Sequence, residues 1–261
     1  YISDEIFANS EPILITIEPE STAILKIEIS SKRTKEEWSR HFEELKSNNF
    51  YPLGLCSDRG TGLVEGYKQV NRGSSWYSDH FHEFRDLTAV SGKLERDAYA
   101  AIEGEYERYK VFENAKSDKN IEKRIKQYEE AKEITQKKVN LFDDFSTLTN
   151  ILYSSINFFD NTGNFQTAEK VKGELITIFT IMEELDYSPI KRVVSSLREH
   201  IEDITKCYVD AQIIYDNLLT MIPEQNILDF LCLSWQHEHK SYQTKSEAKK
   251  YHQAEGSFLL N

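Results

Sequence analysis

The beginning of the chain alternates between apolar and polar residues in three short runs. The runs YISDEIFA, PILITIEP and TAILKIEI follow the two-residue period of a half-buried β-strand. Turn-forming residues separate these runs at positions 9–12 (NSEP) and 18–21 (EPES). Strands joined by short turns form antiparallel meanders, so we predict three antiparallel strands here.

A helical pattern follows this meander. The residues TKEE at positions 34–37 match a capping box, in which a hydroxyl and a carboxylate satisfy the first amide donors of a helix. Trp38, Phe42 and Leu45 then fall on one helical face. We therefore predict an amphipathic helix that begins after Thr34 and ends near the Asn48-Asn49 pair.

Two further strands are predicted after this helix. The run YPLGLCSD is typical of a buried fourth strand that ends at Asp58, and SSWYS favours a fifth. A short helix over Leu63, Val64 and Tyr67 separates them, and Asp79 is positioned to cap a helix that begins HFHEF. The predicted order is β-β-β-α-β-α-β, which makes the first part of the chain an α/β fold with a mixed five-stranded sheet.

The remainder of the chain has the 3.6-residue period of α-helices. This period extends from Ala89 to about Met221, and the breaks at 160–164, 188–189 and Pro223 predict four or five helices. We therefore divide the chain into a core at 1–92, an all-helical insertion at 93–230 and a return helix toward the core at 231–261.

Composition indicates a folded protein and gives no sign of a membrane segment. The chain has 261 residues, is 39% hydrophobic and has a formal net charge of -12. No apolar run approaches the roughly 18 residues of a membrane span, and the first residues do not resemble a secretory signal. We therefore expect a cytoplasmic protein without a membrane partner. The negative charge repels phosphate backbones, so a role on DNA requires local basic patches.

Two aspartates belong to runs that are otherwise suited to burial. Asp4 lies inside the first predicted strand, and Asp58 lies just after the apolar part of the fourth. A buried carboxylate without a partner is unfavourable, so each of these residues needs a compensating group. If the first strand is central and the fourth lies beside it, the two side chains converge. A divalent cation is the usual compensator for such a pair, because Mg²⁺ prefers oxygen ligands.

The chain resembles the catalytic region of bacterial insertion-sequence transposases in the runs DEIF, PILITIEPESTAIL, CSDRGTGL and YSDHFHEF and in the long helical region after them. These enzymes belong to the RNase H-like, retroviral-integrase-like group, which uses an Asp, Asp, Glu triad. The resemblance covers essentially the whole chain. It implies an RNase H-like core with a helical insertion, and Asp4 and Asp58 as catalytic metal ligands. It also implies Mg²⁺ or Mn²⁺ as the cofactor, and cleavage and strand transfer of DNA at transposon ends and target sites.

The third acid of that triad is not recognisable in the chain. In such transposases it lies on a helix after the insertion, where this sequence offers Glu238, Glu247 and Glu255. None of them stands in a run that matches the family's third-acid motif. We therefore expect the third Glu to lie beyond Asn261 and the sequence to be a fragment of a longer enzyme. Such a fragment is expected to be inactive or only weakly active.

Each candidate residue also has a structural interpretation. Asp4 could stand at a strand edge, Asp58 could stabilise a turn, and Asp79 could serve as a helix cap. The histidines favour packing or surface roles over zinc ligation; they are His80, His82, His237, His239 and His252. The segment Gly60-Thr61-Gly62 lacks the lysine of a phosphate-binding loop, so we predict no nucleotide cofactor.

Two other functional classes remain open. The first is a non-enzymatic interaction module, in which a helical stripe that includes Ile121 and Ile125 would bind a partner or form a homo-oligomer. The second is an RNase H-like nuclease that acts on RNA or branched DNA. A scaffold has no need to bring Asp4 and Asp58 together, whereas both enzymatic alternatives require it.

Overall fold

The computed structural model describes residues 1–115 and 118–243. The strands are β1 (Ile2–Ala8), β2 (Glu11–Glu18), β3 (Ala23–Ile29), β4 (Gly54–Ser57) and β5 (Ser75–Ser78). The helices are α1 (Lys35–Ser47), α2 (Thr61–Val70), α3 (His80–Glu113), α4 (Asp118–Ser155), α5 (Ala168–Glu184), α6 (Ser188–Glu199), α7 (Ile201–Met221) and α8 (Gln225–Gln243). The chain forms two compact units, Tyr1–Phe84 and the residues from Arg85 onward.

The first unit contains a mixed five-stranded sheet with the order β3-β2-β1-β4-β5. The pairs β1–β2 and β2–β3 are antiparallel, whereas β1–β4 and β4–β5 are parallel. The predicted α/β class and the predicted element order are confirmed. The fourth strand is shorter than predicted and begins at Gly54, because the apolar side chain of Leu53 is 100% exposed and does not join the core.

One face of the sheet is covered by α1 and α2. The core between them is built from large side chains of both layers, including Leu14, Trp38, Phe42, Leu55 and Tyr67. The amphipathic pattern predicted for α1 is confirmed, since Trp38, Phe42 and Leu45 are all buried. The predicted capping box is wrong in detail, because the Thr34 side chain makes no capping hydrogen bond to the helix.

Glycines allow α1 and α2 to approach closely. A Cβ atom at Gly62 would lie 2.2 Å from the carbonyl oxygen of Arg33, and one at Gly66 would lie 2.7 Å from Trp38 Cβ. Two glycines four residues apart on α2 therefore face α1, where any larger side chain would separate the helices. The glycines that follow Asp58 in the sequence serve helix packing as well as turn formation.

The other face of the sheet is rich in isoleucine. The alternation of the strands places eight isoleucines there: Ile2, Ile6, Ile13, Ile15, Ile17, Ile24, Ile27 and Ile29. Four of them are between 47% and 70% exposed, namely Ile6, Ile24, Ile27 and Ile29. Asp4 belongs to the same face, because it alternates with Ser3 and lies two residues from Ile2. An aspartate therefore occupies one position of an otherwise aliphatic surface.

A buried polar network crosses the face beneath α1. Ser3 Oγ lies 2.8 Å from Thr16 Oγ1, which lies 2.9 Å from His41 Nε2. His41 Nδ1 lies 3.0 Å from Glu28 Oε1. An ionised carboxylate only accepts hydrogen bonds, so in the neutral ring Nδ1 donates to Glu28 and Nε2 accepts from the Thr16 hydroxyl. The network joins α1 to the three antiparallel strands and restrains β1 from the side opposite Asp4.

The second unit is helical. The predicted breaks are confirmed: a loop at 156–167 separates α4 from α5, α6 begins at Ser188 with Pro189 in its first turn, and α7 ends before Pro223. Within residues 1–115 and 118–243, no helix combines the length and the apolar character needed to cross a bilayer. Helix α3 runs without interruption through position 92, where the sequence changes in character.

We expect His41 to make the stability of the fold depend on pH. Burial lowers the pKa of His41 from 6.5 to about 4, although the bond to Glu28 opposes this shift. Between these values the unfolded chain binds a proton that the folded chain does not bind, so stability falls as the pH decreases from 6.5 to 4. The expected loss is about 3 kcal/mol, from about 1.4 kcal/mol for each unit of pKa difference.

Urea unfolding at several pH values measures this effect. The variant His41→Gln lacks the titrating ring, and we expect its stability to fall less than that of the wild type over the same pH range. An equal pH dependence in both proteins would show that His41 does not control acid stability.

Candidate metal site beside the central strand

Asp4 lies within β1, and Asp58 directly follows the end of the neighbouring parallel strand β4. Ile2 on β1 pairs with Cys56 on β4, and Asp4 and Asp58 each lie two residues further along in the same direction. Because side chains of a strand alternate with a period of two, Asp4 lies on the face of β1 that carries Ile2. Asp58 lies one residue beyond β4, at the start of the turn to α2. The central position of β1 beside β4 is confirmed, and the convergence of the two carboxylates stays a prediction.

Asp79 extends the same row to the next strand. Cys56 pairs with Tyr77 on β5, which places Asp79 beside Asp58 by the same two-residue step. The backbone N–H of Asp79 donates to the carbonyl of Ser57 at 2.9 Å, so the two chains remain paired at this point. Asp4 thus lies within β1, whereas Asp58 and Asp79 directly follow β4 and β5.

Asp4 is half-buried and has a local hydrogen bond. Its Oδ1 accepts a hydrogen bond from the backbone N–H of Glu5 at 2.7 Å. The neighbouring Glu5 points to the opposite face, where its carboxylate accepts from Trp38 Nε1 at 3.0 Å and pairs with Arg33 at 3.2 Å. Glu5 therefore anchors β1 to α1, and Asp4 is left on the isoleucine-rich face.

Asp58 occupies the turn between β4 and α2. Its Oδ1 accepts from the backbone N–H of Gly60 at 2.9 Å, and a Cβ atom at Gly60 would lie 3.0 Å from that oxygen. The turn interpretation of Asp58 is therefore correct as a description of its local bond. It does not compete with a ligand role, because a carboxylate has two oxygens and several lone pairs.

Asp79 caps α3, as the sequence predicts. Its Oδ1 accepts from the backbone N–H of Phe81 at 2.8 Å, and its Oδ2 lies 2.9 Å from His82 Nδ1. Sequence reasoning gave Asp79 the cap role and missed its alignment with Asp58. The sequence contains a signal for this alignment, because the last residue of β4 and of β5 is a serine that is followed directly by an aspartate.

An ion pair behind the row ties the turn after β4 to the first turn of α3. Arg59 Nε donates to Glu83 Oε1 at 2.5 Å, and the side chain of Glu83 is only 7% exposed. Glu83 also accepts a hydrogen bond from Ser78 Oγ, and the Arg59 guanidinium lies over the Trp76 ring. These contacts fix the backbone on either side of Asp58. The sequence alone did not indicate this pair.

The pKa of Cys56 provides a second sign that the acidic row is close. Burial raises the pKa of this thiol to about 11, and the negative charge of Asp79 adds to the effect. The thiol is therefore uncharged at neutral pH, and the aspartate oxygens are the anionic groups on this part of the sheet.

The donor set suits a hard divalent cation. Carboxylate oxygens are the ligands that Mg²⁺ and Mn²⁺ prefer, and Mg²⁺ keeps several of its waters when one or two carboxylates hold it. Among the residues that the structure describes, no group of three or more His, Cys, Asp or Glu side chains is arranged to hold a metal ion. Asp4 and Asp58 together are thus a two-carboxylate candidate, and the remaining ligands would be water or substrate oxygens.

The candidates for the third acid belong to other parts of the chain. Glu238 lies on α8 in the second unit, together with His237 and His239. Glu247, Glu255 and His252 lie outside the described residues. The expectation of a third Glu after Asn261 stays a prediction.

Comparison of the chain with known protein families, with curated proteins and with solved structures finds no match in any of the three.

Proposed function

We propose that the chain is the catalytic region of a DNA transposase, in which Asp4 and Asp58 bind Mg²⁺ or Mn²⁺ for phosphodiester cleavage and strand transfer. The observation that carries the proposal is the position of Asp4 on the central strand β1 and of Asp58 directly after the neighbouring parallel strand β4. Asp4 stands among isoleucines, and it accepts a local hydrogen bond from the backbone N–H of Glu5.

The architecture supports an RNase H-like core as part of this proposal. The order β3-β2-β1-β4-β5 puts the strand with the first aspartate at the centre and the strand with the second beside it. The helices that follow β5 would correspond to the all-helical insertion at 93–230.

The proposed mechanism assigns binding and orientation to this chain's own residues. Bound divalent ions activate the attacking oxygen and stabilise the leaving oxygen in phosphoryl transfer. Asp4 and Asp58 would hold the cation, one from β1 and the other from the turn after β4. The Gly60 amide fixes one oxygen of Asp58, and the pair Arg59–Glu83 restrains the turn that carries it. Water or a 3′ hydroxyl would attack the phosphodiester in line.

Some positively charged side chains of the first unit lie close enough together to contact DNA. The chain has a net charge of -12, which opposes the approach of a phosphate backbone. The first unit nevertheless has a hollow lined by Lys35, Lys68 and Arg72 together with Glu65 and Gln69, so its basic residues outnumber its acidic one. This hollow is a local patch of the kind that a DNA role requires. A transposase would act on DNA in the bacterial cytoplasm.

An interaction module is the second candidate function. Exposed Tyr99, Ile102 and Tyr106 share one face of α3, where they form an apolar stripe. The residues first considered for such a stripe, Ile121 and Ile125, are only partly exposed. A pure interaction module does not need metal binding at Asp4 and Asp58. Metal binding at these residues therefore distinguishes the transposase from the interaction module.

We expect Mn²⁺ to bind the wild-type chain and to bind Asp58→Ala or Asp4→Ala at least tenfold more weakly, because each variant removes half of the carboxylate pair. Isothermal titration calorimetry measures the affinity. Asp143→Ala is the matched control, since Asp143 is an exposed aspartate on α4. Indistinguishable Mn²⁺ heats in the wild type and in Asp58→Ala would end the metal assignment.

The same proposal predicts that Asp4 is unfavourable for stability. We expect Asp4→Val to keep or increase the free energy of unfolding, by up to about 1 kcal/mol, because a β-branched side chain suits a pleated aliphatic surface. Chemical denaturation measures the change. A loss of 2 kcal/mol or more would instead identify Asp4 as a structural residue.

On DNA we expect weak, Mn²⁺-dependent nicking by the wild type that falls at least 100-fold in Asp4→Ala and Asp58→Ala, since a metal ligand contributes several kcal/mol to the transition state. Gel analysis of supercoiled plasmid measures nicking, with Asp143→Ala as the control. A duplex that carries the DNA bordering the gene tests joining of 3′ ends. Hydrolysis without any joining would favour the nuclease alternative, and equal activity in all variants would contradict both enzymes.

A further inference from the structure

The second unit contains an apolar pocket that the metal site does not use. The pocket has a volume of about 480 Å³ and lies between α7, α8 and the loop before α5. Small-molecule sites in proteins have volumes of roughly 300–1,000 Å³ and are mostly apolar. We call it the aromatic pocket, because Phe159, Phe165, Tyr215 and Trp235 line it.

The aromatic walls are held in place by contacts among themselves. Phe165 stacks on Tyr215 with ring centroids 5.1 Å apart, and Phe159 meets Trp235 edge-on at 6.1 Å. Leu228 and Cys232 on α8 are buried behind these rings. A pocket with stacked walls has little freedom to collapse, so its shape exists before any ligand binds.

The loop that carries two of the rings is fixed by hydrogen bonds. Asp160 Oδ1 accepts from the backbone N–H groups of Thr162 and Asn164 at 2.9 and 3.1 Å, and Gln236 Oε1 accepts from the N–H of Phe159 at 3.1 Å. Gly163 has a φ of +89° and lies so close to α8 that a Cβ atom there would meet the Asp229 carbonyl oxygen at 2.5 Å. The loop is therefore built onto α8 as a rigid wall.

The chemistry of the walls selects an uncharged ligand. The lining residues are apolar or aromatic, and Tyr215, Cys232 and Trp235 are the members whose side chains carry a polar atom or sulfur. Burial, with the charge of Asp229, raises the pKa of the Cys232 thiol to about 11, so the thiol is uncharged at neutral pH. Moving a charged group from water into such surroundings is strongly unfavourable.

The opening of the pocket is apolar as well. Ile214 is 64% exposed, and Trp235 and Leu231 at the same pocket are 45% and 39% exposed. A ligand that enters therefore passes over apolar side chains and displaces poorly bound water. This arrangement favours a compact apolar molecule, and the described residues that line the pocket include no cationic side chain for a phosphate or a carboxylate.

We propose that the aromatic pocket binds one uncharged, apolar small molecule, of the class of long-chain alcohols or neutral aromatic compounds. The site is independent of Asp4 and Asp58. It would give the helical unit a ligand-binding role of its own.

Displacement of a neutral fluorescent probe tests the proposal on the full chain. N-phenyl-1-naphthylamine emits more strongly in apolar sites, and we expect saturable binding of one probe per chain. Decanol should displace the probe at a concentration at least tenfold lower than decanoate at pH 8, because only decanoate carries a charge. Equal displacement by the two compounds, or the absence of saturable probe binding, would overturn the proposal. If a second copy or another segment of the chain already fills the pocket, no saturable probe binding will be observed.

Two variants locate the binding. Ala211→Phe places a ring in the pocket and should weaken probe binding at least tenfold, whereas Ala100→Phe on the exposed surface of α3 should leave it unchanged. Ile214→Asp changes an exposed side chain at the opening, so it keeps the fold and should also weaken binding. Wild-type affinity in Ile214→Asp and in folded Ala211→Phe would place the probe elsewhere and contradict the proposal.

Discussion

The pairing of β1 with β4 is the constraint on which the candidate site depends. This pairing is short: Ile2 pairs with Cys56, the N–H of Cys56 donates to the carbonyl of Tyr1 at 2.9 Å, and the amino terminus donates to the carbonyl of Gly54 at 2.8 Å. A shift by one residue would turn one aspartate to the opposite face of the sheet. The row of acidic side chains therefore exists only in this register.

The layer beneath the sheet determines that register. Leu55 is fully buried against α1 and α2, so β4 cannot slip by one residue without exposing it. On β1, Ser3 is tied to Thr16 and Glu5 to Trp38, both on the same side as Leu55. The side chains that face the helices thus fix the direction of Asp4 and Asp58 on the other face. Packing on one side of the sheet therefore sets which side chains lie on the other side.

The strands, the first two helices and their order could be predicted from the sequence, because each has a clear hydrophobic period. The start of β4 could not, since Leu53 is apolar and yet fully exposed. The position of β1 beside β4 depends on a strand order that no local pattern contains, and the place of Asp79 beside Asp58 required the pairing of β4 with β5. His41 bonds to Glu28 and Thr16, which lie 13 and 25 positions away in the sequence, and Glu83 bonds to Arg59, 24 positions away. Hydrophobic periodicity is a local pattern, so it gave no sign of these bonds.

The central claim is that Asp4 and Asp58 share one divalent cation, and anomalous X-ray diffraction from crystals of the full chain grown with Mn²⁺ tests it most directly. The account predicts an anomalous peak that contacts an oxygen of each aspartate at roughly 2.0–2.2 Å, the range for small divalent ions. Carboxylates that point away from each other, or Mn²⁺ bound only at other residues, would contradict it.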